Sequence, residues 1–355
     1  MDITQLFMDI VRIDSPSGFE QAISNYITSF LSRLKISSIV DNDGNMYAFI
    51  PGTGTPVVLS SHLDTVEPGR GIRPQIDKGV IKSDGTTILG ADNKAAVAAI
   101  LRVIEDIVTN NKPHMPIEMV FSVREETDAG IKTFDFSQLQ SKIGYCFDSS
   151  GPIGNLVTEA SYIIEFEINV TGKAAHGGIE PEKGINALTA VSRAISKLEW
   201  GRLEEGRLTA NIGLIKGGDA VNTVPAHVSM RGDVRSIEEE LVNTYLSKIE
   251  ATFQAESAAV SASAEVVKHP YCNGYQYYVG DPLVKTAVQA LTEIGVEPNF
   301  IRSNGGADAN EFVKNGIAMI NFGYGATDIH TTAEAMQITD LESLEKLVYT
   351  LVMKG

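Results

Sequence analysis

The chain has 355 residues, enough for two domains, and its 29 basic against 45 acidic residues give a formal charge of −16, which argues against a nucleic-acid backbone as partner. No apolar run approaches the ~20 residues of a membrane span, and the start MDITQLFMDIVRID lacks the basic, apolar and small-residue regions of a secretory signal. The two cysteines, Cys146 and Cys272, sit at no ligand-like spacing and suggest no disulfide scaffold, so a cytoplasmic α/β protein is expected.

Leu6, Phe7, Ile10 and Val11 recur at helical spacing until Ser15-Pro16-Ser17-Gly18 breaks the pattern, and a second amphipathic helix follows over roughly residues 19–34. Strands are predicted at 37–40 and 46–50, on either side of the turn-rich Asp41-Asn42-Asp43-Gly44-Asn45. The run VVLSSHLDTV from Val57 then reads as a buried strand that delivers His62 and Asp64 to one face, because side chains two apart on a strand point the same way. After a polar excursion, Leu89-Gly90-Ala91-Asp92-Asn93-Lys94 leads into an Ala-rich helix, apolar on most sides, as a helix on a sheet should be. Taken alone, Asp92 reads as that helix's N-cap. Two further apolar runs end in acid: IEMVFSV in Arg124-Glu125-Glu126, and IGYCF in Asp148.

From about residue 162 the pattern changes to strand, helix, strand, strand, helix, strand. That order is a split βαβ unit, a four-stranded sheet with two helices on one face. The expected division is therefore a first domain of residues 1–161 plus 276–355, interrupted by an inserted α+β, ferredoxin-like domain of residues 162–275. Helix and strand then alternate again through the turn Asn304-Gly305-Gly306-Ala307-Asp308, the strand IAMINFGYG, the loop holding His330 and a closing helix.

Ligands in open α/β sheets gather at the carboxyl ends of strands, so His62, Asp92, Glu126, Asp148 and His330 could converge. Two imidazoles and three carboxylates are too many charged ligands for one cation, but they suit a pair sharing a central carboxylate. Mixed nitrogen and oxygen donors favour zinc, with cobalt or manganese as the other candidates. Asp64, two residues from His62, is placed to accept that ring's second N–H. Glu125, beside a ligand, suits a general base acting on the attacking water.

In order and spacing, His62-Leu63-Asp64, Gly90-Ala91-Asp92-Asn93, Arg124-Glu125-Glu126, Asp148 and the late His330 resemble the signature of the M20 family of co-catalytic zinc exopeptidases and aminoacylases, most closely its peptidase T-like branch. The resemblance covers essentially the whole chain. It implies a mixed-sheet catalytic domain with an inserted lid or dimerisation domain, and a homodimer formed through that domain. It also implies His62 and Asp148 on one metal, Glu126 and His330 on the other, Asp92 between them, and a cis peptide after Asp92. The activity implied is that of a tripeptidase-like aminopeptidase, in which a water bridging the metals attacks short peptides with help from Glu125. The alternatives are an N-acyl amino acid deacylase or dipeptidase of the same family, or a catalytically silent binding protein.

In the inserted domain, Gly172-Lys173-Ala174-Ala175-His176-Gly177-Gly178 resembles the family motif whose His stabilises the tetrahedral intermediate; without the resemblance His176 is a surface loop residue. Asn222 and Arg231 resemble substrate-contacting positions, and Arg231 could equally make a salt bridge on an exposed strand face. At the turn 304–308, Asn304 and Ala307 replace the Arg and Thr of tripeptide-specific peptidase T, with Arg302 as a candidate substitute for that arginine. Strict tripeptide recognition is therefore not implied.

Overall fold

The computed structural model describes residues 2–128 and 130–353. The chain forms two compact units. The first comprises Met1–Thr158, Tyr277–Arg302 and Ala307–Gly355, and the second Glu159–Gln276 with Ser303–Gly306.

In the first unit, a mixed sheet runs in the order Ser38–Val40, Met46–Ile50, Ile117–Ser122, Val57–His62, Ile143–Ser149 and Ala318–Gly323. The last four are mutually parallel, so their carboxyl ends share one edge. Val57–His62 and Ile117–Ser122 are buried at every position, which explains why they read as mainly apolar and small residues with no alternation of apolar and polar ones. Register then sets the height of each strand end. His62 pairs with Ser122, and Ser60 pairs with Cys146, which carries His62 level with Asp148. Glycine is required at Gly144, where a Cβ would come within 2.3 Å of Val58 and 2.5 Å of Met319 from the two flanking strands. The helix Ala91–Thr109 buries Ala95, Ala96, Ala98 and Ala99 completely in a core it shares with the helices Ile3–Val11 and Ile338–Met353. Its small side chains let it lie close to its neighbours.

The second unit is an antiparallel sheet in the order Gly201–Leu203, Leu208–Gly217, His227–Ser236, Tyr162–Thr171 and Ser263–Cys272. Tyr162–Thr171 turns Phe166, Ile168 and Val170 into a core filled by Ala190 and Ala194 of the helix Ala187–Ser196 and by Leu246, Ile249 and Phe253 of the helix Glu239–Ala258. The expected β-α-β-β-α-β order is present, with the short strand Gly201–Leu203 added.

One local expectation is corrected, and two local features are added. Asp92 is no N-cap: Gly90, at φ +74, precedes the helix, and Asp92 and Asn93 lie just inside it with non-helical backbone angles. Glu125 and Glu126 do not prolong a strand, which stops at Ser122; they open the short helix Glu125–Asp128. A strand, Asn299–Ser303, also precedes the turn at Asn304. Both cysteines are buried. Among the described residues no helix is long and apolar enough to cross a membrane.

Candidate metal centre

His62 ends its strand with the ring fixed from behind. Nδ1 lies 3.0 Å from the Asp64 backbone carbonyl and 3.4 Å from Asp64 Oδ1, two acceptors that call for a proton on Nδ1, and Nε2 faces forward. Nε2 is 3.2 Å from Asp92 Oδ1 and 3.4 Å from Asp148 Oδ1. The loop before the closing helix brings His330, whose Nε2 is 3.3 Å from Asp92 Oδ2 and 3.0 Å from Glu126 Oε1. The two oxygens of Asp92 thus face two different imidazoles, each accompanied by one further carboxylate.

These spacings fit a pair of cations. Donors held at zinc's ~2.0–2.1 Å in a tetrahedron stand ~3.3 Å apart. The potential ligand atoms of His62, Asp92 and Glu126 lie within 4.8 Å of one another, as do those of His62, Glu125 and Asp148.

Charge balance points the same way. Burial pushes Asp148 up to about 7 and raises Glu126, and it raises Glu125 well above the usual range with the charge of Asp148 adding to it. Burial would raise Asp92 too, but the flanking His330 and His62 hold it low. Hydrogen bonding to Asp92 and the charge of Glu126 carry His330 to about 9, and for His62 the surrounding Asp148, Asp64 and Asp92 outweigh burial and raise it well above its usual value. Protons fill the place of missing positive charge, which is the condition a divalent cation relieves.

The backbone around the centre is held by carboxylates. Asp64 is fully buried, and besides facing His62 it accepts from the N–H groups of Glu125 at 2.9 Å and Glu126 at 3.1 Å and from Ser17 Oγ at 2.6 Å. Glu334, unnoticed in the sequence, accepts the N–H groups of Leu89 at 2.8 Å, Gly90 at 2.7 Å and Asp92 at 3.1 Å. It lies four residues after His330, and that spacing was its only signal. Asp308, read in the sequence only as part of the turn 304–308, accepts from Ser122 Oγ and is pushed up to about 6 by burial. Asn93 donates to Asp148 Oδ1 at 3.1 Å, and the Asp92–Asn93 peptide is cis, as the resemblance implies.

The remaining candidates lie in the second unit, all exposed. His176 Nδ1 accepts from Gly178 N at 3.1 Å, which leaves Nε2–H directed outward, and Gly177 N donates to the carbonyl of Asn222 at 2.7 Å. Arg231 pairs with Glu165 at 3.0 Å, the strand-face salt bridge considered for it. Asn304 accepts from Ser161 Oγ through its side chain and from Arg235 through its carbonyl, both at 2.8 Å.

Residues 158–260 match the family model of the M20 peptidase dimerisation domain. The chain is 35% identical to the uncharacterised protein YqjE of Bacillus subtilis, over 98% of this chain and 96% of that one. Among solved structures it resembles the aminopeptidase PepT of Bacillus cereus at 34% identity and a tripeptidase of Staphylococcus aureus at 31%. Each has a TM-score of 0.93, with 99% of this chain and 97% of the other covered.

Proposed function

We propose, from the premise that this chain belongs to the M20 family of metallopeptidases, that it is a dizinc aminopeptidase releasing residues from short peptides with free N-termini. One observation carries the reading: Asp92 presents one oxygen to the His62–Asp148 pair and the other to the Glu126–His330 pair. His62 and Asp148 would hold one cation, Glu126 and His330 the second, with Asp92 shared. The likeness to a PepT aminopeptidase and a tripeptidase over nearly the full length of both supports the substrate class.

When bound, two divalent cations supply Lewis acidity toward the scissile carbonyl and toward water. The chain's own groups do the rest. Glu125, whose proton affinity burial and Asp148 raise, takes a proton from the attacking water and returns it to the leaving amine. Asp64 keeps His62 in the Nδ1–H tautomer and holds the Glu125 backbone in place. His176 offers its Nε2–H to the developing oxyanion. Asn222, Arg231 and Asn304 contact the substrate, and for Arg231 this means releasing Glu165. The second unit's likeness to a dimerisation domain supports a homodimer. Zinc is preferred over cobalt or manganese from the donor set, and the cytoplasm from two cysteines that suggest no disulfide scaffold.

Free di- and tripeptides and N-acetyl amino acids, assayed with zinc, cobalt and manganese in turn, test the reading. Cleavage of the first peptide bond of free tripeptides is expected. Faster release from N-acetyl amino acids would replace the aminopeptidase reading with that of a deacylase, which Asn304 in place of the branch's arginine leaves as the second reading.

A further inference from the structure

Three consecutive backbone N–H groups, those of Arg124, Glu125 and Glu126, are each received by a carboxylate from elsewhere in the chain. Asp64 takes the second and third. Glu20 takes the first: its Oε1 lies 3.0 Å from Arg124 N and 2.8 Å from Gly18 N, on a residue only 7% exposed. Arg124 needs such a hold. Its φ is +55, the left-handed region that a residue with a side chain seldom adopts without support. Its own guanidinium gives little anchorage, since the carboxylate of Asp43 is 3.7 Å away and Nε has no hydrogen-bond partner.

Glu20 ends the loop that opens at Ser15, and this loop is tied to the segment carrying His62 and Asp64. Ser15 Oγ donates to the Leu63 carbonyl at 2.8 Å, Thr65 N donates to the Ser15 carbonyl at 3.0 Å, and Ser17 Oγ donates to Asp64 at 2.6 Å. The sequence marked residues 15–18 only as a helix breaker. In the structure they are a brace that carries the Glu20 carboxylate to the residue before Glu125.

We infer that Glu20 is a positioning residue for Glu125: by fixing the left-handed turn at Arg124 it sets the direction in which the Glu125 carboxylate enters the centre. The inference rests on the reading of Glu125 as general base. A bond to the backbone needs an acceptor oxygen at the right reach but no charge, and the test turns on that distinction.

The experiment compares Glu20→Ala, Glu20→Asp and Glu20→Gln in the metal-loaded protein, with kcat, KM, metal content and amide hydrogen exchange over residues 124–126 read for each. Glu20→Ala should lose roughly 10- to 100-fold in kcat with KM within about twofold, the size of effect that a misplaced catalytic group produces. Metal content should stay unchanged and exchange at 124–126 should quicken. Glu20→Asp, which keeps the charge but falls a methylene short, should behave like Glu20→Ala and replaces it if that variant does not fold. Glu20→Gln, which keeps Oε1 as acceptor, should stay within about threefold of wild type, because a neutral acceptor retains the hydrogen bond. Wild-type kcat in the Ala or Asp variant, a Gln variant as slow as Ala, or unchanged exchange would each overturn the inference. Glu125→Gln run alongside separates the two claims. If it turns over normally the base assignment falls and the positioning role with it; if it is inactive while Glu20→Ala is fast, only the role of Glu20 falls.

Discussion

Both units hide carboxylates, and they treat them in opposite ways. In the second unit Glu256 is met by Lys197 and by Arg193 Nε at 2.8 Å, and the two cations hold its carboxyl below the ordinary glutamate range. At the strand ends of the first unit, Asp148, Glu125 and Glu126 share two imidazoles with Asp92, and burial pushes all three upward. The same functional group is thus stabilised as an anion in one place and driven to hold a proton in the other. An ionised carboxylate buried without a partner is costly. The second unit answers that cost with its own side chains. The first leaves it for a cation from solution, and this asymmetry is the physical case for a metal centre.

The severest way to break the comparison is to remove that cation. Chelation followed by dialysis should abolish hydrolysis, lower the melting temperature and leave far-ultraviolet circular dichroism little changed; zinc should restore both. A ligand present at 100 times its dissociation constant stabilises by about 2.7 kcal/mol, so the shift should be plainly measurable. Undiminished turnover in protein shown by elemental analysis to be metal-free would end the argument from charge imbalance.

Next in size is Glu125→Gln. The amide keeps the shape and removes the proton acceptor, so kcat should fall by roughly 10²- to 10⁴-fold with metal content unchanged. Loss of metal instead would make Glu125 a ligand, an outcome the closeness of its carboxylate to His62 and Asp148 makes worth measuring.

How much of this was legible in the sequence follows from what each residue bonds to. Parallel strands buried on both faces leave mainly apolar runs without alternation, so the strand ends carrying His62 and Asp148, and the chain position of Glu126, could be read directly. Strands such as Gln75–Asp77, Val80–Lys82 and Ala335–Gln337 are too short to show a period, and Asn299–Ser303 is mostly exposed with no apolar alternation. Within the site, Glu334 and Glu20 bond to backbone N–H groups, and Asp308 bonds to a serine hydroxyl. A backbone N–H has no residue identity for a motif to record, and Ser122 stands 186 positions from Asp308 in the chain. Only the folded chain brings them together.

Glu334 sharpens the comparison from the side of the backbone. It holds Leu89, Gly90 and Asp92, and it sits on the loop that supplies His330, so it ties together the two segments that carry Asp92 and His330. Glu334→Ala should weaken metal binding by about 10- to 100-fold, the usual consequence of losing a group that orients ligands. Isothermal titration of the metal-free variant reads this directly, and an affinity equal to wild type would reduce Glu334 to a residue of the fold alone.

The smallest effect is expected at the self-sufficient pole. Glu256→Gln removes the anion while keeping its shape, and it should lower the urea midpoint at neutral pH without altering metal content or kcat. The loss should be modest, because the side chains of Arg193 and Lys197 are 48% and 59% exposed and their attraction is screened by water and salt. The sign with pH is fixed by the lowered folded pKa. The unfolded chain binds the proton first on acidification, so the stabilisation is complete above the ordinary glutamate value and fades as the pH falls through the lower folded one. Wild type and Glu256→Gln should therefore differ at neutral pH and converge in acid. A gap that persists unchanged in acid would mean that Glu256 acts through packing, and the contrast between the two ways of burying a carboxylate would then lose one of its poles.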